Sequence, residues 1–242
     1  MTKIASILLA GGESKRYGGN KLLSPHYSGL PLIHYSLQQV QGLHLSSIYV
    51  VTGRWHSGLF GVLQTFASQS TKNQIDVTQI KTTQNETILK ETIHNKPTHQ
   101  TTIQICHNDV WDEGIASSIR CGLNAVLESK DNQYTHVLVH LADLASVTTS
   151  TLDNLIEQVS VHPDDIIYSQ WNNHRGELQA TVPAIFPRAA FDSLLKLSGD
   201  KGAKKVIEDW KRKGKAVGVA HPESALDIDS PRDWKAYRST GV

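Results

Sequence analysis

At 242 residues with a formal net charge of +1, the chain suits one large domain with a substantial core, and neither sign of charge dominates, which excludes nucleic-acid or membrane-surface binding driven by bulk electrostatics. Cys106 and Cys121 are its two cysteines; they have neither CxxC spacing nor an even ladder of pairs, which argues against a cysteine-based zinc site and a disulfide framework. The opening apolar run is too short for a signal peptide and no stretch approaches the roughly 20 apolar residues of a membrane span, so a cytoplasmic protein with a small partner is expected.

The apolar run Ile4 to Leu9 empties into Leu9-Ala10-Gly11-Gly12-Glu13-Ser14-Lys15-Arg16-Tyr17-Gly18-Gly19-Asn20-Lys21. Glycines interleaved with cations suit a loop that holds an anion. Without a Cβ the backbone brings successive N–H groups onto phosphate oxygens, and Lys15, Arg16 and Lys21 add the charge. Spacing excludes two better-known phosphate loops: Lys21 lies between Asn20 and Leu22 rather than in Gly-Lys-Ser/Thr, and no G-x-G-x-x-G occurs. Pro31 to Val40 then has apolar residues at helical spacing behind a first-turn proline. Ser47 to Gly53 reads as a second buried strand, and strand, helix, strand is a βαβ unit, hence a parallel sheet.

From about 68 to 104 Gln, Thr, Asn, Lys and His dominate. So polar a stretch buries little, and it is expected as a loop-like insertion at the sheet edge of a single domain spanning 1–242. Ile75 to Ile80 and Thr101 to Cys106 remain candidate strands within it. Gly114 to Ser118 opens a predicted helix with Ile119, Leu123, Val126 and Leu127 on one face, so its first turn would offer backbone N–H groups and the hydroxyls of Ser117 and Ser118 to a ligand. Thr135 to Leu141 is a nearly unbroken apolar run ending at Asp143, as in a central parallel strand whose carboxyl end faces a ligand. A helix over Thr148 to Val161 follows, then a strand over Asp165 to Ser169. A turn at Arg175-Gly176 enters an extended segment through Pro183 to Phe186, and a helix runs from Pro187-Arg188 to Leu197. Gly199-Asp200-Lys201-Gly202-Ala203 is a second glycine and lysine loop. Ala216 to Val219 is a short strand, and Asp227-Ile228-Asp229 precede a last helix with Ser230 as N-cap and Pro231 at its first position.

In this order, several of these segments resemble molybdenum cofactor cytidylyltransferases, a family related to the molybdopterin guanylyltransferases. Leu9 to Lys21 resembles the L-A-G/A-G-x-S-x-R-x-G-x-x-K signature; Trp111 to Leu123 resembles W-x-x-G-x-x-S-S-x-x-x-G-L; Leu141-Ala142-Asp143 resembles L-A-D. Val182 to Phe186, Gly199 to Ala203 and Asp227 to Asp233 resemble the V-P-A-L-F, G-D-x-G-A and D-I-D-T-P-x-D elements. The resemblance covers most of the chain except about 61–104. It implies a three-layer αβα, Rossmann-like nucleotidyltransferase fold of the GT-A kind with a mostly parallel central sheet, and transfer of CMP from CTP to a molybdopterin-type cofactor with release of pyrophosphate.

It further implies that Leu9, Ala10, Gly11, Gly12, Ser14, Arg16, Gly18 and Lys21, with Gly114, Ser117 and Ser118, bind the nucleotide. Arg16, Lys21 and Asp143 would be catalytic, and Mg²⁺ would sit on Asp143 and Asp229, with Asp227 competing for the second place. Arg175, Gly176 and Pro183 would face the acceptor. A molybdenum enzyme or its chaperone is the partner such a product implies. Tyr17 stands where the family usually has methionine, Leu144-Ala145 where it has Gln-Pro, and Val182-Pro183 where His-Pro is frequent. The alternatives are a nucleotidyltransferase of the same fold using GTP or another NTP on a different phosphorylated acceptor, or a catalytically silent cofactor carrier.

Overall fold

A computed structural model describes residues 2–69, 76–81, 101–129 and 133–239; the rest of the polar stretch, 70–75 and 82–100, lies outside the described residues. Strand β1 (Ile4–Ala10) is buried along its whole length. It lies between β2 (Ser47–Thr52) and β5 (His136–Leu141) and is parallel to both. β2 in turn pairs with β4 (Thr102–His107), and β4 with β3 (Asp76–Lys81), again in parallel. On the other side lie β6 (Ile166–Asn172), β7 (Leu178–Pro187) and β8 (Ala216–Ala220). The described residues form one eight-stranded sheet in the order β3-β4-β2-β1-β5-β7-β6-β8, in which β7 alone runs against its neighbours.

A parallel strand covered on both faces must be apolar on both, and β1 shows this alternation. Ile4, Leu8 and Ala10 enter one hydrophobic core, with α1 (Leu32–Gln41), α2 (His56–Gln69), α4 (Thr149–Val161) and α7 (Asp233–Ser239). Ala5, Ile7 and Leu9 enter the other, with α3 (Ile115–Leu127), α5 (Phe191–Leu195) and α6 (Lys204–Lys211). The result is the three-layer α/β arrangement that the sequence predicts. Cys106 and Cys121 are both buried thiols, and among the described residues no helix is long and apolar enough to cross a membrane.

Two local expectations are corrected and one helix is added. Helix α2 has no counterpart in the sequence reading, although Leu59, Leu63 and Phe66, buried on one face, carry a helical period. The helix expected from Pro187 to Leu197 is a 3-10 turn, Arg188–Ala190, followed by the short α5. The last helix starts at Asp233 rather than Pro231, because the Asp233 carboxylate accepts from the backbone N–H groups of Asp229 and Ser230 at 2.9 and 2.6 Å and makes Ser230-Pro231 part of a turn. The two candidate strands in the polar stretch do form, and β4 buries Ile103 and Ile105 by simple alternation.

Candidate active site

At the carboxyl end of β1 the glycine loop turns back over the sheet. Gly11 sits so close to α3 that a Cβ there would lie 2.8 Å from Ser118 Oγ, so only glycine lets the loop pass. Tyr17 and Gly18 both donate their N–H to the Ser14 carbonyl, at 3.0 and 3.2 Å. Trp55 Nε1 holds the Glu13 carbonyl at 3.1 Å. The Tyr17 hydroxyl bonds Ser24 Oγ at 2.5 Å and accepts from Trp234 Nε1 at 3.0 Å. Tyrosine in place of methionine therefore adds a polar tie between the loop and α7.

Asn20 accepts from the Leu22 N–H at 3.2 Å and starts the 3-10 turn Lys21–Leu23. This turn carries Lys21 inward, where its Nζ lies 2.5 Å from Asp143 Oδ2 and 3.3 Å from Asp229 Oδ1. Asp229 reaches this point through a short antiparallel bridge: Leu144 pairs with Asp227, and Ile228 donates to the Asp143 carbonyl at 3.1 Å. Arg16 caps the group at 2.5 Å from Asp229 Oδ2. Burial alone would lower the Lys21 pKa, but the charges and hydrogen bonds of Asp143 and Asp229 outweigh it and raise the pKa, so the ammonium stays protonated. Its side chain is 10 % exposed against 78 % for Arg16; the lysine is a fixed part of the site, and the arginine can swing.

This donor set fits a hard divalent cation. Asp143 Oδ1 is buried without a hydrogen-bond partner, and a second carboxylate stands across Lys21. Among the described residues no group of three His, Cys, Asp or Glu side chains is placed to hold a metal. A cation on two carboxylates would keep most of its coordination for water and phosphate oxygens, as Mg²⁺ prefers. Asp227 lies to one side: desolvation, and then the charges of Asp229 and Asp143, push its carboxyl up. It lines a smaller cavity of about 350 Å³ shared with Arg16 and Asp229.

The main cavity, about 490 Å³, is lined by Gly11 to Arg16, Lys21, Asp143 and Asp229 on one part and by Trp111, Gly114, Ile115 and Ser118 on another. Gly114 has φ 116°, a left-handed value that glycine alone adopts cheaply. Asn108, buried at the end of β4, donates from Nδ2 to Ser117 Oγ at 2.8 Å and to Ser118 Oγ at 3.1 Å. Ser117 in turn donates to the Gly114 carbonyl at 2.8 Å.

Most of the expected site is thus brought together, with exceptions. Ser117 is buried and shapes the turn from inside, its hydroxyl proton given to the Gly114 carbonyl and one lone pair taken by Asn108, while Ser118 lines the cavity. Gly18 closes the turn under the loop at φ 75° and does not line the cavity. Arg175 and Gly176 are at the exposed tip between β6 and β7, and Pro183 is buried within β7, its carbonyl accepting from Ser169 Oγ at 2.8 Å; none of them lines either cavity. Sequence spacing also passes over Asn108 and Trp55, since nothing in it marks a residue that acts by holding a hydroxyl or a carbonyl.

The family model of the MobA-like NTP transferase domain matches residues 6–216. No curated protein matches the sequence. Among solved structures the chain is similar to Rv0371c from Mycobacterium tuberculosis H37Rv, at 20% identity over 98% of this chain and 99% of that one, with a TM-score of 0.65. The manganese complex of Rv0371c aligns at 18% identity over 97% of each chain with a TM-score of 0.59. A nucleotidyl transferase from Methanothermobacter aligns at 18% identity over 99% of this chain and 98% of that one, with a TM-score of 0.63. The 4-diphosphocytidyl-2C-methyl-D-erythritol synthase from Anaerococcus prevotii aligns at 11% identity over 98% of this chain and 99% of that one, with a TM-score of 0.62. At these identities the likeness is one of fold.

Proposed function

We propose that this chain, a member of the family of MobA-like NTP transferase domains, transfers CMP from CTP to the terminal phosphate of a molybdopterin-type cofactor, with Mg²⁺ and with release of pyrophosphate. The membership supports nucleotidyl transfer, and the motif resemblance supports the choice of nucleotide and acceptor. The observation that carries this reading is the convergence of Lys21, Arg16, Asp143 and Asp229 on one cavity walled by the glycine loop. An acceptor phosphate oxygen forms a bond to the α-phosphorus as the bond from that phosphorus to the β-phosphate oxygen breaks. Catalysis of such a step is positioning and charge neutralisation.

The loop amides and Ser14 hold the triphosphate. Lys21 is fixed and protonated beside the metal carboxylates, and Arg16 leaves Asp229 to meet the pyrophosphate as it departs. Asp143 and Asp229 would hold the ion, which neutralises charge on the phosphate oxygens. The manganese complex of Rv0371c supports a divalent ion in a fold of this kind. CTP and the molybdopterin acceptor rest on the motif resemblance.

A second reading, a same-fold enzyme that uses GTP or another NTP on a different phosphorylated acceptor, is favoured by one observation: Arg175, Gly176 and Pro183 stand outside the cavity. A silent carrier would have no use for the orphaned oxygen of Asp143 beside a second carboxylate. Thermal shift with each NTP plus Mg²⁺, followed by pyrophosphate release on addition of molybdopterin, decides between them. The largest shift with CTP and release that depends on the acceptor is the expected result; preference for GTP, or no release, overturns the proposal.

A further inference from the structure

The loop between α5 and α6 has no part in the chemistry above, yet it is strapped to the cavity wall. The Gly199 carbonyl accepts from the Ala116 N–H at 3.1 Å, and the Gly199 N–H donates to Glu113 Oε1 at 3.4 Å. Arg120 completes the strap, donating to both Glu113 carboxylate oxygens at 2.9 and 2.5 Å and to the Leu197 carbonyl at 2.6 Å. Residues 197–199 are thereby held across the first turn of α3, and Asp200 follows at the cavity wall. Its Oδ1 sits where only a glycine allows it, 2.5 Å from the position a Cβ at Gly114 would take.

Among the described residues no hydrogen bond or ion pair engages the Asp200 carboxylate. An ionised carboxylate only accepts hydrogen bonds, and it repels phosphate. The cations of the cavity, Lys15, Arg16 and Lys21, all belong to the glycine loop, so the triphosphate goes there. Asp200 is left with the part of the nucleotide that carries uncharged donors. We propose that Asp200 is a specificity residue that accepts a hydrogen bond from a donor on the nucleoside, either a ribose hydroxyl or the exocyclic amino group of the base. The strap through Glu113 and Arg120 holds the backbone that carries Asp200 in place before the nucleotide arrives. This inference rests on the nucleotide reading of the cavity.

Calorimetric titration of the full chain with CTP, 2′,3′-dideoxy-CTP and UTP, each with Mg²⁺, tests it in the wild type, in Asp200→Ala and in the isosteric Asp200→Asn. A hydrogen bond to a charged group predicts that Asp200→Ala weakens CTP binding by about tenfold or more. The analogue lacking the donor that Asp200 reads, dideoxy-CTP for the ribose or UTP for the amine, should bind wild type and variant alike. If GTP gives the largest thermal shift, dideoxy-GTP and ITP replace the analogues. An unchanged affinity for CTP in both variants, or an equal loss for all three nucleotides, overturns the inference and leaves the nucleotide reading standing. Failure of the wild type to bind any triphosphate removes that reading and the inference with it.

Discussion

Two ends of the same parallel strands carry opposite kinds of cavity. At the amino end of β1 and β5 a cavity of about 300 Å³ is lined by Thr135, His136, Pro163, Asp164 and Arg188 among others; Asp164 is exposed to solvent, and the side chains of Thr135, His136 and Arg188 are tied to protein atoms. Thr135 Oγ1 accepts from Lys3 N at 3.0 Å, His136 uses Nδ1 on Thr135 at 2.9 Å and Nε2 on the Pro163 carbonyl at 2.8 Å, and Arg188 Nη1 donates to the Tyr134 carbonyl at 3.1 Å. At the carboxyl end Asp143 Oδ1 is buried without a partner, Arg16 is largely exposed, and Asp200 faces open space. Both ends have room and both have charge. What separates them is burial of the unpartnered oxygen: Asp164 is exposed and can bond water, whereas Asp143 Oδ1 is buried, a state a protein keeps where something else is to supply the partner.

Substitutions at the two ends should therefore fail in different assays. Asp143→Asn should lower pyrophosphate release by about two or more powers of ten while urea melts stay close to wild type; full turnover would sink the metal assignment. Arg16→Ala should cost ~1.5–3 kcal/mol in nucleotide binding or turnover, the range for a charge-assisted contact, and unchanged kinetics would reduce the loop to a turn. Near the carboxyl end of β5, His140 is fully buried, and desolvation lowers its pKa to about 3. The unfolded chain takes up a proton near pH 6.5 and the folded one does not, so stability is fully present above pH 6.5 and declines as pH falls from there toward 3. Between pH 7 and pH 5 the loss should be about 2 kcal/mol, with His136 and His221, both lowered first by desolvation, acting in the same direction. Melts of His140→Leu should show a shallower slope with pH; an unchanged slope would break this account. The smallest effect belongs to the amino end: Thr135→Val should lower stability by about 1 kcal/mol and leave turnover unaltered.

How much of this was readable from the residues varies with the range of the interaction. The strand entering the glycine loop, α1, β2 and β5 follow from local periodicity and glycine placement. Helix α2 escaped because glycine, serine and glutamine dilute its apolar face, leaving Leu59, Leu63 and Phe66 as an isolated trace. The start of α7 differs from the capping pattern at Ser230 because a downstream carboxylate, Asp233, takes the backbone donors of Asp229 and Ser230. The approach of Asp143 to Asp229 follows from resemblance and not from spacing, since it depends on the bridge between Leu144 and Asp227, which no local pattern announces. The burial of Ser117 is hidden from local pattern for a related reason: its partner Asn108 comes from another element.

That bridge also sets an order in time. A chain emerging from the ribosome can build the glycine loop and lay down Asp143 on its central strand while Asp229 has yet to be made. Until the stretch around Asp227 closes onto Leu144, the nascent protein has the surroundings of a nucleotide site but only half of its carboxylate pair. With Asp143 and Asp229 as the proposed metal carboxylates, the capacity to turn nucleotide over would be among the last properties the growing chain acquires, and a chain clipped ahead of residue 227 is expected to lack it.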